Sequence, residues 1–162
     1  MKERNLLKGK RILIVDDEPD VLETLRELLH MCEVVTASSF DEAQDLLRSQ
    51  YFDIAILDIM GVEGYKLLEI AKQRKVIPLM LTAHALSPEE TIKSYKEGAA
   101  SFVPKDRMAD IEKFLNDILL AKEQGKHFWW RWLDRLASYY DEKFGPNWRE
   151  SDEEFWKKFP GY

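Results

Sequence analysis

Apolar residues follow two alternating rhythms along most of the chain. Short solid runs, "RILIV" (11–15), "EVVTA" (33–37), "FDIAILD" (52–58), "VIPLMLT" (76–82) and "SFVPK" (101–105), are too short for helices and predict strands. Between them the spacing turns helical. Val21, Leu25, Leu28 and Leu29 fall on one face after Pro19, a residue suited to a first helical turn. Ser39 and Glu42 frame a capping box ahead of Ala43, Leu46 and Leu47. Tyr65–Gln73 predicts a third helix with Leu67, Leu68 and Ala71 inward. Ser87, Pro88 and Glu90 open a fourth, and a fifth starts near Met108 with Ile111, Leu115, Ile118 and Leu119 on one side. Pro78 lacks a ladder donor, which predicts an early or edge position in its strand.

Five strands, each followed by a helix, predict an α/β fold: a parallel sheet with right-handed crossovers and helices on both faces. Sites in such sheets gather at the carboxyl ends of the strands. Asp16 and Asp17 end the first strand, Asp58 the third, Thr82 the fourth and Lys105 the fifth. Residues far apart in sequence are thus expected along one edge.

Beyond about residue 122 the chain changes character. All five tryptophans (129, 130, 132, 148 and 156) lie there, with Phe128, Tyr139, Tyr140, Phe144, Phe155 and Phe159. We therefore expect a sheet domain over 1–122 and an aromatic-rich helical extension over 123–162. Trp129, Trp132, Leu133, Leu136 and Tyr140 keep helical spacing until Phe144-Gly145-Pro146 stops the run. Ser151 and Glu154 are positioned to cap a short last helix. From Lys122 onward there are eight basic and eight acidic residues, so this part of the chain is neutral. Its aromatics pack on the sheet domain or on each other, or form a docking surface for a second copy or partner, and the two readings can both hold. Its length and lack of net positive charge disfavour a DNA-binding module.

With 45% hydrophobic residues in 162, the chain can bury a real core. A net charge of −6 argues against nonspecific nucleic-acid binding or attachment to acidic membranes. No apolar run approaches the ~20 residues that span a bilayer. The first ten residues lack the apolar stretch of a signal peptide. One cysteine, Cys32, permits no internal disulfide. A cytoplasmic location is expected.

The strand ends carry the chemistry. Asp16, Asp17 and Asp58 repel one another unless a cation sits among them. An oxygen-rich set free of His and Cys suits Mg2+. Mg2+, a hydroxyl (Thr82) and an ammonium (Lys105) are also the usual partners of a phosphoryl group in transfer. Asp58, alone at a central strand end, is the candidate nucleophile for an aspartyl phosphate. No histidine among His30, His84 and His127 has a companion at ligand spacing. His84, two residues after Thr82, is either a surface group or one leaning over the pocket mouth.

"ILIVDDEPD", "AILDIM", "MLTAHA" and "EGAASFVPK" resemble, in order, spacing and strand context, the receiver domain of two-component response regulators, over roughly residues 9–122. The resemblance implies a flavodoxin-like, doubly wound five-stranded sheet in the order 2-1-3-4-5. It implies that Asp58 accepts a phosphoryl group from a histidine kinase or phosphotransfer protein with Mg2+. It further implies that Asp17 ligates the metal directly and Asp16 mainly through water, with Asp58 and the Met60 carbonyl completing the set. Thr82 and Lys105 would hold the phosphoryl oxygens, and Phe102 would turn inward as Thr82 moves. Glu18 is not carried over as a ligand; the start of the first helix is its expected place. Two departures stand out. The segment "DIMGVEGYKLL" is two residues shorter than the family's usual loop and has no proline, so Gly61 and Gly64 are expected to supply backbone freedom. Lys105 is followed by Asp106 rather than proline.

The expected function is a phosphorylation-controlled switch without an enzymatic output, acting on a downstream protein and open to homodimerisation. An aspartate-nucleophile phosphohydrolase is one alternative, but its usual second Asp is replaced here by Met60. A phosphorylation-independent scaffold is the other. A dinucleotide-binding enzyme is disfavoured because no G-x-G-x-x-G follows the first strand.

Overall fold

The computed structural model describes residues 5–83 and 87–160. Its five parallel strands are β1 (Arg11–Val15), β2 (Glu33–Ala37), β3 (Ile54–Asp58), β4 (Ile77–Thr82) and β5 (Ser101–Pro104). Their order is β2-β1-β3-β4-β5. The central strands β3 and β4 are buried at every position, as strands covered on both faces must be. Pro78 is the second residue of β4, an interior strand, where it pairs with Ala55. Its carbonyl still accepts from Ala100 N–H at 2.7 Å.

The helices follow the caps written in the sequence. α1 (Pro19–Leu28) starts on its proline, and α2 (Phe40–Ser49) is capped by Ser39, which accepts from Glu42 N–H at 3.3 Å. α3 (Gly64–Gln73) and α4 (Pro88–Lys96) lie side by side. Tyr65 donates to Glu90, and Lys72 donates to the Glu97 carbonyl at 2.8 Å. Glu90 therefore gives its carboxylate to α3, while Ser87 alone caps α4. A 3-10 turn (Lys105–Asp110) precedes α5 (Ile111–Gln124), which packs near α1. Gly125, at φ 69°, adopts the left-handed geometry that ends α5.

The extension folds back on this sheet. Trp129 lies in the turn before α6 (Trp132–Phe144), not within the helix that its spacing predicts. A second 3-10 turn (Trp148–Asp152) leads to α7 (Glu153–Lys157). Asp152, rather than Ser151, caps α7 by accepting from Phe155 N–H at 3.1 Å. Ser151 instead donates to the Trp148 carbonyl. Trp129, Trp132, Tyr140, Trp148, Trp156 and Phe159 are all buried and continuous with the sheet's core. These aromatics pack on one another and on the chain's own sheet domain.

One polar clamp supports this docking. Asp117 on α5 is 5% exposed, and Arg135 of α6 grips its two oxygens at 2.8 and 2.9 Å. Arg131 stands 3.5 Å away. Removing Arg135 strands much of a buried carboxylate. Arg135→Ala is expected to lower stability by about 1–3 kcal/mol, less than for a fully buried pair because Arg135 is partly solvated. Urea unfolding read by tryptophan emission checks this.

Candidate functional site

The parallel sheet aims β1, β3, β4 and β5 at one rim, which brings the predicted residues together. Asp16 is fully buried and Asp58 and Thr82 nearly so, whereas Asp17 is exposed. Lys105, the first residue of its 3-10 turn, extends its ammonium between the acids. Nζ lies 2.8 Å from Asp16 Oδ2, 2.8 Å from Glu18 Oε1 and 3.4 Å from Asp58 Oδ1. Thr82 stands in register with Pro104, the residue before Lys105. Phe102 is fully buried in β5.

Glu18 stands at the start of α1 as expected, but its side chain serves the rim. Its backbone does occupy the N-cap of α1, but the side chain makes no cap hydrogen bond. It turns to Lys105 instead. Asp16 Oδ1 accepts from Glu18 N–H at 2.9 Å, a short turn that folds Asp16, Asp17 and Glu18 into one cluster. One carboxylate oxygen from each lies within 4.8 Å of the others. The only advance signal for Glu18 was the unbroken acidic triplet at a strand end.

The loop after β3 works by space rather than by backbone freedom. Neither Gly61 nor Gly64 has a positive φ; the left-handed residue is Glu63, at φ 53° and ψ 54°. A Cβ on Gly61 would fall 2.4 Å from the Asp17 carboxylate, and one on Gly64 would fall 2.4 Å from the Asp58 carbonyl oxygen. Gly61 N–H also donates to Asp58 Oδ2 at 3.0 Å. The loop thus brings the Asp17 and Asp58 carboxylates to a common glycine. Met60 carries a side chain 69% exposed. No cis peptide occurs among the described residues, so the Lys105–Asp106 bond is trans. His84 lies outside the described residues. His127 is far from the rim, stacked on Tyr95 with ring centroids 5.2 Å apart.

Burial pushes the Asp16 carboxyl above its ordinary value, partly offset by Lys105 and the Glu18 N–H. Burial alone would lower the Lys105 ammonium, but Asp16 and Glu18 outweigh it and the net shift is upward. The ammonium therefore stays charged across the physiological range. The ammonium pairs with Asp16 Oδ2 at 2.8 Å, and no further donor reaches that buried oxygen among the described residues. A buried, under-coordinated carboxylate oxygen beside two further acids fits a small hard cation. Gly61→Ala is expected to push Asp17 aside, preserving the fold while weakening binding of a divalent cation. Calorimetric titration with Mg2+ on parent and variant checks this.

Comparison with known proteins gives this rim its context. The sequence profile of the response regulator receiver domain matches residues 12–116. The chain belongs to that family. It is 36% identical over 104 residues to the two-component response regulator ARR10 of Arabidopsis thaliana, an alignment covering 60% of this chain and 19% of that protein. It is also 36% identical over 104 residues to the alginate biosynthesis transcriptional regulatory protein AlgB of Pseudomonas aeruginosa, covering 60% of this chain and 23% of that one. The chain thus spans about a fifth of the length of these curated relatives.

Among solved structures, a CheY-like receiver domain protein from Methanospirillum hungatei superposes with a TM-score of 0.65 at 28% identity, covering 73% of this chain and 99% of that one. The response regulator protein TrrA of Thermotoga maritima, solved in complex with Mg(2+)-BeF, superposes with a TM-score of 0.51 at 36% identity, covering 59% of this chain and 85% of that one. The flavodoxin-like order expected from the motifs is the order observed. No helix among the described residues is long and apolar enough to cross a membrane.

Proposed function

We propose that this chain is a phosphoacceptor switch of a two-component pathway, in which Asp58 takes a phosphoryl group from a phosphohistidine on a histidine kinase or phosphotransfer protein. The observation that carries this reading is the Lys105 ammonium held between Asp16 and Asp58 at the mouth of a parallel sheet. A carboxylate oxygen of Asp58 attacks phosphorus; the new P–O bond forms as the P–N bond breaks, and the imidazole leaves. Lys105 neutralises a phosphoryl oxygen, and the Thr82 hydroxyl donates to another. Asp16, Asp17, Asp58 and the Met60 carbonyl would hold Mg2+, which supplies charge neutralisation for the transfer. That TrrA was solved in complex with Mg(2+)-BeF supports Mg2+ as the cation.

The residue two beyond Asp58 is Met60, which has no proton to give and faces solvent. That favours a switch over a hydrolase. A cytoplasmic location fits the reading, and a downstream protein is the proposed target. The residues up to about 122 would form the switch, and those beyond it a distinct extension. The test is incubation with Mg2+ and a small phosphodonor, followed by intact mass. One added phosphoryl group is expected in the parent and none in Asp58→Asn. Equal labelling of the two would overturn the assignment.

A further inference from the structure

The polar anchors of the extension all land on the last third of the sheet domain. Trp129 and Trp132 donate their indole N–H groups to the carbonyls of Ala99 and Phe102, at 2.7 and 2.9 Å. Both acceptors border or belong to β5, the edge strand, whose exposed polar groups would otherwise invite pairing with another chain. The Tyr140 hydroxyl meets Thr91 of α4. Tyr139 donates to Asp106 Oδ2 at 2.9 Å, and Lys143 Nζ lies 3.7 Å from the same oxygen.

Asp106 is the residue after Lys105, and both belong to one 3-10 turn. A single turn therefore presents the site's cation on one side and an acceptor for the extension on the other. The residue before it, Pro104, is in register with Thr82.

We propose that the extension is the chain's own output element: it docks on α4, β5 and α5 while Lys105 lies among the carboxylates, and loosens when a divalent cation and a phosphoryl group occupy them. This rests on the reading of Asp58 as phosphoacceptor. The physical cause is competition for oxygens. A cation held at Asp17 and Asp58, with Asp16 reached through water, would draw on the same carboxylates that Lys105 now approaches. The ammonium must re-aim, and its side chain is only 11% exposed, so little free space absorbs the change. The turn that carries it moves instead. Tyr139, with Arg107 5.1 Å over its ring, fits that turn in its present setting. Packed contacts of this kind switch between arrangements rather than deform smoothly. Linkage makes the effect reciprocal: a docked extension must oppose filling of the site.

The sequence supplies its own reporter. Every tryptophan lies between 129 and 156, so emission excited selectively at tryptophan reports on the extension. The full chain is titrated with Mg2+, then with Mg2+ plus beryllium fluoride as the phosphoryl mimic. Calorimetry reads occupancy of the site, while emission and amide exchange read the extension. The expected result is a red shift of emission and exchange over 127–160 faster by about fivefold or more, the usual range of allosteric coupling. Tyr139→Phe keeps the ring and removes the Asp106 bond. It should bind the mimic about fivefold more tightly, with emission no longer following occupancy. Asp106→Asn should behave likewise and carries the test if Tyr139→Phe does not fold.

Heat of binding with unchanged or blue-shifted emission in the parent would overturn the output role while leaving the acceptor reading intact. A full emission response in both variants would overturn the route through Asp106. No heat of binding at all would remove the acceptor reading and this proposal with it.

Discussion

Trp132→Ala is expected to lower the unfolding free energy by about 3–5 kcal/mol, the range for truncating a buried large aromatic. Trp132 is 3% exposed and central to the aromatic cluster. Its ring centroid lies 5.2 Å from Trp129, 5.1 Å from Tyr140 and 5.8 Å from Phe159. The substitution deletes the indole bond to the Phe102 carbonyl as well, leaving a buried acceptor without that donor. Trp130 is the contrast. It is only partly buried, with Lys126 and Arg131 over its face at 4.3 and 4.2 Å, so Trp130→Ala should lose about 1–2 kcal/mol. Urea denaturation followed by circular dichroism measures both. A loss below about 1 kcal/mol for Trp132→Ala would mean that the extension is a loose attachment rather than part of the core.

Mg2+ is expected to raise the melting temperature of the parent, and Asp17→Asn to remove most of the rise. A ligand that binds only the folded state stabilises it by mass action, about 2.7 kcal/mol at a hundred times its dissociation constant. The buried Asp16 oxygen, which only the Lys105 ammonium now meets, and the exposed Asp17 carboxylate beside Gly61 are the groups such an ion would satisfy. Asp17→Asn keeps the shape and removes one charge. It should also relieve repulsion within the Asp16–Asp17–Glu18 cluster, so the metal-free variant should melt at or above the metal-free parent. Thermal scans with Mg2+ and with a chelator decide the point. An Asp17→Asn variant that gains as much from Mg2+ as the parent would place the ion elsewhere.

Much of the rim could be read from the chain because each residue ends an apolar run or follows it by one or two positions. "RILIV" and "FDIAILD" are buried strands, and burial on both faces forces the parallel arrangement that aligns their ends. Asp16, Asp58, Thr82 and Lys105 meet for that reason. Glu18 could not be read so directly. Its neighbour Pro19 marks a helix start, and only the tertiary position of Lys105, 87 residues away in sequence, turns its carboxylate to the rim. The glycines after Asp58 show a similar limit. Sequence identifies a tight place but not whether φ or volume makes it tight; here the crowding comes from Asp17 and the Asp58 backbone.

The extension was legible as apolar and helical but not as to its partner. Spacing fixes which side chains share a face, whereas the surface that receives them depends on carbonyls such as those of Ala99 and Phe102, which carry no sequence signature. Trp129 shows the hazard directly. It keeps helical spacing with Trp132 yet sits in a turn, where its own N–H pairs with His127 Nδ1 at 3.2 Å.

The central claim is that Asp58 becomes an acyl phosphate. Borohydride cleaves such a bond by reduction and leaves homoserine where the aspartate stood. The chain is therefore treated with Mg2+ and a small phosphodonor, reduced, digested and sequenced by mass spectrometry. The account predicts homoserine at position 58 and at no other aspartate. Homoserine at position 16 or 17, or an acid-stable phosphate on a hydroxyl with position 58 unchanged, would contradict it.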